Sequence, residues 1–184
     1  MEIPELSVEK IGLLVKNEPS TATYEAFGES LRKAFSSVGF LFIRDHGINQ
    51  NLIAKAMKTS KDFFMLPSEV KESLTCDPQM DQSYVGPGKE IFDQNEDGSK
   101  ATHEVREAFE VIRMTPNIAF SETKAPELQP TLAQLAIDTK KLADRILKAL
   151  AYALDLEDEE FFIQKHHGMD HEMYISKLRY YFYF

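Results

Sequence analysis

After Pro130, apolar residues fall on one face for longer than anywhere else in the chain: Leu132, Leu135, Ala136, Thr139, Leu142, Ala143, Ile146, Leu147, Leu150, Ala151 and Leu154. Spacings of three and four held for about 23 residues demand a helix, and its apolar stripe has to be buried against something. Asp155-Leu156-Glu157-Asp158 closes that helix, and Glu159 to Gln164 reads as a short further one carrying Phe161 and Phe162.

A second constraint is the stretch Gly39-Phe40-Leu41-Phe42-Ile43-Arg44-Asp45-His46-Gly47-Ile48. Four consecutive apolar residues, Phe40 to Ile43, predict a short buried strand between a glycine entrance and an Asp-His-Gly exit. Before it, Phe27, Leu31, Ala34, Phe35 and Val38 make a helical stripe. After it, Asn49 is placed to cap a helix whose inner face is Leu52, Ile53, Ala56, Met57, Ser60, Phe63 and Phe64. Pro67 interrupts that helix, and residues 68–72 make a further turn or two.

Strands are expected at Ser83-Tyr84-Val85, at 107–112 with Phe109 and Val111 on one face, and from Met173 to Phe184, with Ile3 to Leu6 as an extended lead-in. The final strand has no partner after it, so it pairs with something earlier or leaves a sticky edge. It reads as a place where the chain stops short of its natural sheet. The fold class predicted is α+β, mostly helical with a few short strands.

At 184 residues the chain suits one ordinary domain, able to bury roughly two-thirds of its unfolded surface. Thirty acidic residues against 21 basic ones give a formal charge of −9, which disfavours a phosphate-backbone partner. Cys76 is the single cysteine and forms no internal disulfide. No run approaches the roughly 20 apolar residues of a spanning helix, and Met1-Glu2-Ile3-Pro4-Glu5 is no secretory signal, so no membrane partner and a cytoplasmic location are expected.

Several local patterns invite a site. Asp93 to Glu104 has the spacing of a calcium loop, with oxygen ligands at its first, third and fifth places, Gly98 sixth and Glu104 twelfth. Lys100 at the eighth place and Gly86-Pro87-Gly88 where an entering helix belongs read it instead as a solvated acidic hairpin. Those glycines do not cradle phosphate either, because Pro87 removes a donor and no helix follows.

None of His46, His103, His166, His167 and His171 is followed two residues later by Asp or Glu, as the two-histidine, one-carboxylate iron site commonly requires. His166, His167, Asp170 and His171 read as a surface loop, and His46 as a structural hydrogen-bonder. Asp77 beside Cys76 discourages a reactive thiolate.

The ordered motifs carry more than the composition does. The stretch from Gly39 to Ile48 resembles the "GFF…NHGI" signature of the isopenicillin N synthase-like family of iron(II)- and 2-oxoglutarate-dependent dioxygenases. Phe63-Phe64-Met65-Leu66-Pro67-Ser68-Glu69-Val70-Lys71 looks like the family's "FF-x-LP-x-E-x-K", and Tyr84 to Glu90 like its "GY…E", with Ser83 for glycine. His103 to Glu110 is similar to "D-x-KE-x-F", with arginine for lysine at Arg106. Leu178-Arg179-Tyr180-Tyr181-Phe182-Tyr183-Phe184 resembles "LR-x-x-HYP", with Phe182 for His and Phe184 for Pro.

That resemblance implies a non-haem dioxygenase N-terminal domain over residues 1–120, a linking long and short helix over 121–172, and the first strand of a β-helix (jelly-roll) core over 173–184. The chain would be truncated before most of that core. Full-length relatives use Fe(II) and 2-oxoglutarate to hydroxylate or desaturate small molecules, and their His-x-Asp pair, distant His and Arg-x-Ser pair fall beyond Phe184. Arg113-Met114-Thr115 fits the last pattern by coincidence.

No catalytic or metal residue and no cofactor is therefore expected in this chain, and a small-molecule substrate only if the missing core is present. By the same resemblance Tyr183 lies near the 2-oxoglutarate carboxylate, and Tyr84 and Arg179 border the substrate pocket. The alternative is a non-catalytic interaction or regulatory protein built on the N-terminal domain alone.

Overall fold

The computed structural model describes residues 2–73, 82–88, 106–111, 125–166 and 176–181, the side chains of 82, 83, 110, 111 and 176–181 excepted. Two compact units share the chain: unit 1 holds Met1–Gln50 and Leu135–His171, unit 2 holds Asn51–Gln134 and Glu172–Phe184. The described residues are mostly helical, with two small sheets and no closed barrel.

Unit 1 opens with strand β1 (Glu5–Ser7), helix α1 (Thr21–Ser37) and strand β2 (Phe42–Arg44). The two strands pair in parallel, Leu6 opposite Ile43. Parallel neighbours need a crossover between them, and α1 is that crossover. A three-residue strand gives too short an alternation to announce itself, so only an extended lead-in was legible at this position.

Ser20, extended at φ −70° and ψ 157°, starts α1 by accepting from the Thr23 amide at 3.3 Å. The buried face of α1 is Tyr24, Gly28, Leu31 and Ala34. Phe35, expected inside, is exposed. The strand expectation shifts similarly: β2 begins at Phe42, and Phe40 and Phe42 lie 70% and 60% exposed. Only the alternate residues Leu41 and Ile43 pack on the core, because a strand sends successive side chains to opposite faces.

The long helix is α4 (Leu128–Ala153), 26 residues. Its Leu142, Ala149 and Ala153 meet Val8, Ile11, Tyr24 and Leu31 in the unit 1 core. The Arg145 guanidinium donates to the Ile11, Gly12 and Val15 carbonyls at 3.0, 2.5 and 3.2 Å, fastening the turn after β1 to α4. Gly47, at φ +78°, sits where a Cβ would fall 2.9 Å from the Leu14 amide.

At Gly28 a Cβ would meet the Ala149 carbonyl oxygen at 2.7 Å and the Ala153 nitrogen at 3.0 Å, both backbone atoms of α4. Alanine favours a helix over glycine by about 1 kcal/mol, but a forced fit in a packed interior costs about 1–3 kcal/mol. Gly28→Ala is therefore expected to lower the melting temperature, and Gly28→Val to lower it further. A rise for the alanine variant would mean that α1 and α4 do not touch there.

Unit 2 contains α2 (Gln50–Phe64), α3 (Ser68–Glu72) and a sheet ordered β3 (Gln82–Val85), β4 (Arg106–Val111), β5 (Ser176–Tyr181), antiparallel throughout. The last strand thus finds its partner earlier in the chain, in β4. Phe63 packs on Phe64, Tyr84 and Phe109 with ring centroids 5.2, 6.4 and 4.8 Å away. Met57, expected on the inner face of α2, is 72% exposed. Strand β4 also departs from the expected one-sided pattern, since Arg106, Glu107, Ala108 and Phe109 are all buried. A central strand covered on both faces loses the alternation by which it is read.

Candidate functional site

Lys71, Tyr84 and Glu107 meet inside unit 2. The Lys71 ammonium donates to the Phe64 carbonyl at 2.9 Å and to Glu107 Oε2, and the Tyr84 hydroxyl donates to the same carboxylate oxygen. The Lys71 and Glu107 side chains are 7% and 3% exposed, and Lys71 Nζ lies 5.5 Å from the Tyr84 ring centroid.

Local geometry explains the convergence. Tyr84 faces Phe109 in the β3–β4 register, so it shares a face with Glu107 two residues away. Pro67 ends α2 and starts α3, whose Lys71 returns to the carbonyl of Phe64. A buried ion is tolerated only when paired and hydrogen-bonded, and both charges here are. Both Tyr84 and Lys71 are engaged, so the cluster holds four elements together and leaves no free nucleophile.

Burial, then the hydrogen bond to Glu107, raises the Tyr84 pKa well above its ordinary 10.0, and burial with the Glu18 hydrogen bond does the same for Tyr24. The Tyr24 hydroxyl donates to Glu18 at 2.7 Å. For a group whose native pKa is raised, the stabilising contribution is complete below the unfolded value and is lost as pH climbs through the native one. Stability is expected to decline above pH 10.0, with Tyr84 and Tyr24 ionising only as the fold opens. Absorbance at 295 nm during alkaline titration checks this. Smooth ionisation of every tyrosine near its ordinary value, with the fold intact, would contradict it.

A second polar cluster closes unit 1. Lys148 Nζ lies 2.9 Å from Glu159, 3.2 Å from Glu160 and 3.7 Å from Glu18, and 5.3 Å from the Tyr24 ring centroid. Tyr152 donates to Glu159. These contacts hold the segment after α4, and helix α5 (Phe161–Lys165) with it.

Of the sequence-predicted site residues, Tyr84 is buried on β3 with its hydroxyl on Glu107. Arg179 lies on β5 opposite Ala108, and its side chain is outside the described part. Tyr183, Cys76, the Asp93–Glu104 stretch, Arg113-Met114-Thr115 and His103, His167 and His171 lie outside the described residues.

His46 Nδ1 accepts from the Ile48 amide at 3.0 Å, the structural role expected of it, and His166 Nδ1 lies 2.6 Å from the Phe162 carbonyl. Among the described residues no three His, Cys, Asp or Glu side chains group as a metal ion needs. Nor is any described helix long and apolar enough to cross a membrane. Lys71 and Glu107 were quoted within motifs but not singled out, because no spacing in a lone sequence links positions 36 residues apart.

Residues 6–133 match the family model for the N-terminal region of non-haem dioxygenases, described as "in morphine synthesis". The chain belongs to this family. Among its curated relatives, this dioxygenase N-terminal region is 29% identical over 129 residues to leucoanthocyanidin dioxygenase of Perilla frutescens, covering 70% of the chain and 35% of the relative. It is 30% identical over 145 residues to flavonol synthase/flavanone 3-hydroxylase of Eustoma exaltatum subsp. russellianum, covering 78% and 42%.

A full-length Neurospora crassa protein crystallised with alpha-KG superposes with a TM-score of 0.72 at 20% identity, over 97% of this chain and 54% of that one. A 2OG-Fe(II) oxygenase family protein from Caulobacter crescentus gives 0.66 at 22%, over 96% and 54%. These two show the same fold. The dioxygenase N-terminal region thus spans less than half the length of those curated relatives and about half of the solved chains.

Proposed function

We propose that this chain is the N-terminal region of an iron(II)- and 2-oxoglutarate-dependent oxidoreductase that hydroxylates or desaturates a small molecule, and that residues 1–184 alone do not carry out the reaction. The observation that carries this reading is the family match over residues 6–133 in a chain spanning 35–42% of two named relatives. On the same reading residues 1–120 form the N-terminal domain, 121–172 the linking helices and 173–184 the first strand of the core.

Arg179 and the strand carrying Tyr84 would then border the substrate, with the Tyr84 hydroxyl engaged by Glu107, and Tyr183 would lie near 2-oxoglutarate. The test is anaerobic titration of the purified chain with Fe(II) and 2-oxoglutarate, followed by a succinate assay in air. No stoichiometric iron and no succinate are expected. One tightly held iron with turnover of 2-oxoglutarate would overturn the proposal.

A further inference from the structure

The strap that follows β1, the loop that follows β2 and one face of α4 line a cavity of about 600 Å³, all of it within unit 1. That volume suits a small molecule. The walls are tied to one another before anything enters. The Leu13 amide donates to the His46 carbonyl at 3.0 Å, and Gly47 lies close against the Leu13 and Leu14 amides. Leu13 and Val15 supply apolar lining, and Lys16, Lys141 and Arg145 supply three cations.

Those cations lack ion-pair partners, whereas the carboxylates around them are engaged. Lys16 and Lys141 are exposed and make no hydrogen bond or ion pair with any described residue. Arg145 Nη1 donates to two carbonyls and Nη2 to one, and no described carboxylate pairs with it. A guanidinium has five N–H groups, so the Nε–H and one Nη2–H keep no partner among the described residues. That pair is the side-on fork that grips a carboxylate or a phosphate with two parallel bonds. Of the lining carboxylates, Glu18 accepts from the Tyr24 hydroxyl at 2.7 Å and lies 3.7 Å from Lys148. Asp144 is 2.8 Å from Lys140, and Asp138 has a partner of its own. In a chain of net charge −9, three unpaired positive groups on one cavity repel one another, and an anion relieves that repulsion.

We infer that this cavity binds a small organic anion of more than one negative charge, a polycarboxylate or a phosphate monoester. Arg145 takes one anionic group side-on, Lys16 and Lys141 close on the remaining charge from the strap and from α4, and the carbon skeleton rests on Leu13 and Val15. The bound anion ties the strap to α4, so it stabilises unit 1 by binding the folded chain alone. The site uses no group of the Lys71 cluster and does not depend on the chain being part of an oxygenase.

Equilibrium dialysis of the 184-residue chain against citrate and against glycerol 3-phosphate tests this, at about 0.15 M salt to screen diffuse attraction. One equivalent of at least one of them is expected. Citrate alone would assign the site to carboxylates, and glycerol 3-phosphate alone to phosphate esters. Lys16→Gln/Lys141→Gln is expected to weaken binding by about tenfold or more. Lys10→Gln/Lys61→Gln, which removes two other exposed lysines without described partners, should leave binding unchanged. All four side chains are exposed, so both double variants should keep the wild-type circular dichroism spectrum and ligand-free melting temperature. Saturating ligand should raise the melting temperature of the wild type more than that of Lys16→Gln/Lys141→Gln. Binding of neither anion would overturn the inference, as would several equivalents without saturation or equal losses in the two double variants.

Discussion

Glu107→Ala is expected to destabilise unit 2 by about 3–5 kcal/mol, because removing one partner of a buried ion pair strands the other. The Lys71 ammonium would keep only the Phe64 carbonyl, and the Tyr84 hydroxyl would lose its acceptor. Against a typical total stability of about 5–15 kcal/mol, that is a large share of the fold. Urea unfolding followed by near-ultraviolet circular dichroism measures it, since Tyr84, Phe63 and Phe109 stand together in the same core.

The companion variant Lys71→Met/Glu107→Leu/Tyr84→Phe removes every polar side chain of the cluster at once, leaving only the Phe64 carbonyl. It is expected to recover most of the loss, as apolar replacements of whole buried pairs often do. A loss below about 1 kcal/mol for Glu107→Ala would show that water reaches the cluster and that it fastens nothing.

Phe63→Ala is the second large effect, also about 3–5 kcal/mol, from lost burial plus the cavity left behind. Phe63 is fully buried, and its ring touches those of Phe64 and Phe109. Met57 belongs to the same helix and was expected on the same inner face, yet it is 72% exposed. Met57→Ala is expected to shift stability by less than about 0.5 kcal/mol. Chemical denaturation of the two variants side by side settles the contrast, and equal losses would refute the assignment of faces on α2.

Periodicity locates a long helix but does not place every apolar residue on it, since Phe35 on α1 and Met57 on α2 are exposed. Helix α4 was legible because many apolar residues in succession can satisfy only one period, and the observed Leu128–Ala153 includes nearly all of them. Short elements gave less. Three residues of β1 carry no detectable alternation, and β4 hid its faces because Arg106 and Glu107 are buried along with Ala108 and Phe109. The family was legible too, because motifs keep their order along a chain whatever the surroundings.

The sequence by itself therefore determined the helical stripes, the α+β class and the kinship to dioxygenase N-terminal regions, since each is a property of neighbouring residues or of their order. Only the tertiary structure decided that Gly28 lies against the α4 backbone, that Lys71 and Glu107 form one buried pair, and that Phe40 and Phe42 face outward. Each of those facts depends on which distant surface a side chain meets. Residues 36 positions apart, or a strand and the layer above it, are joined by packing rather than by any local period.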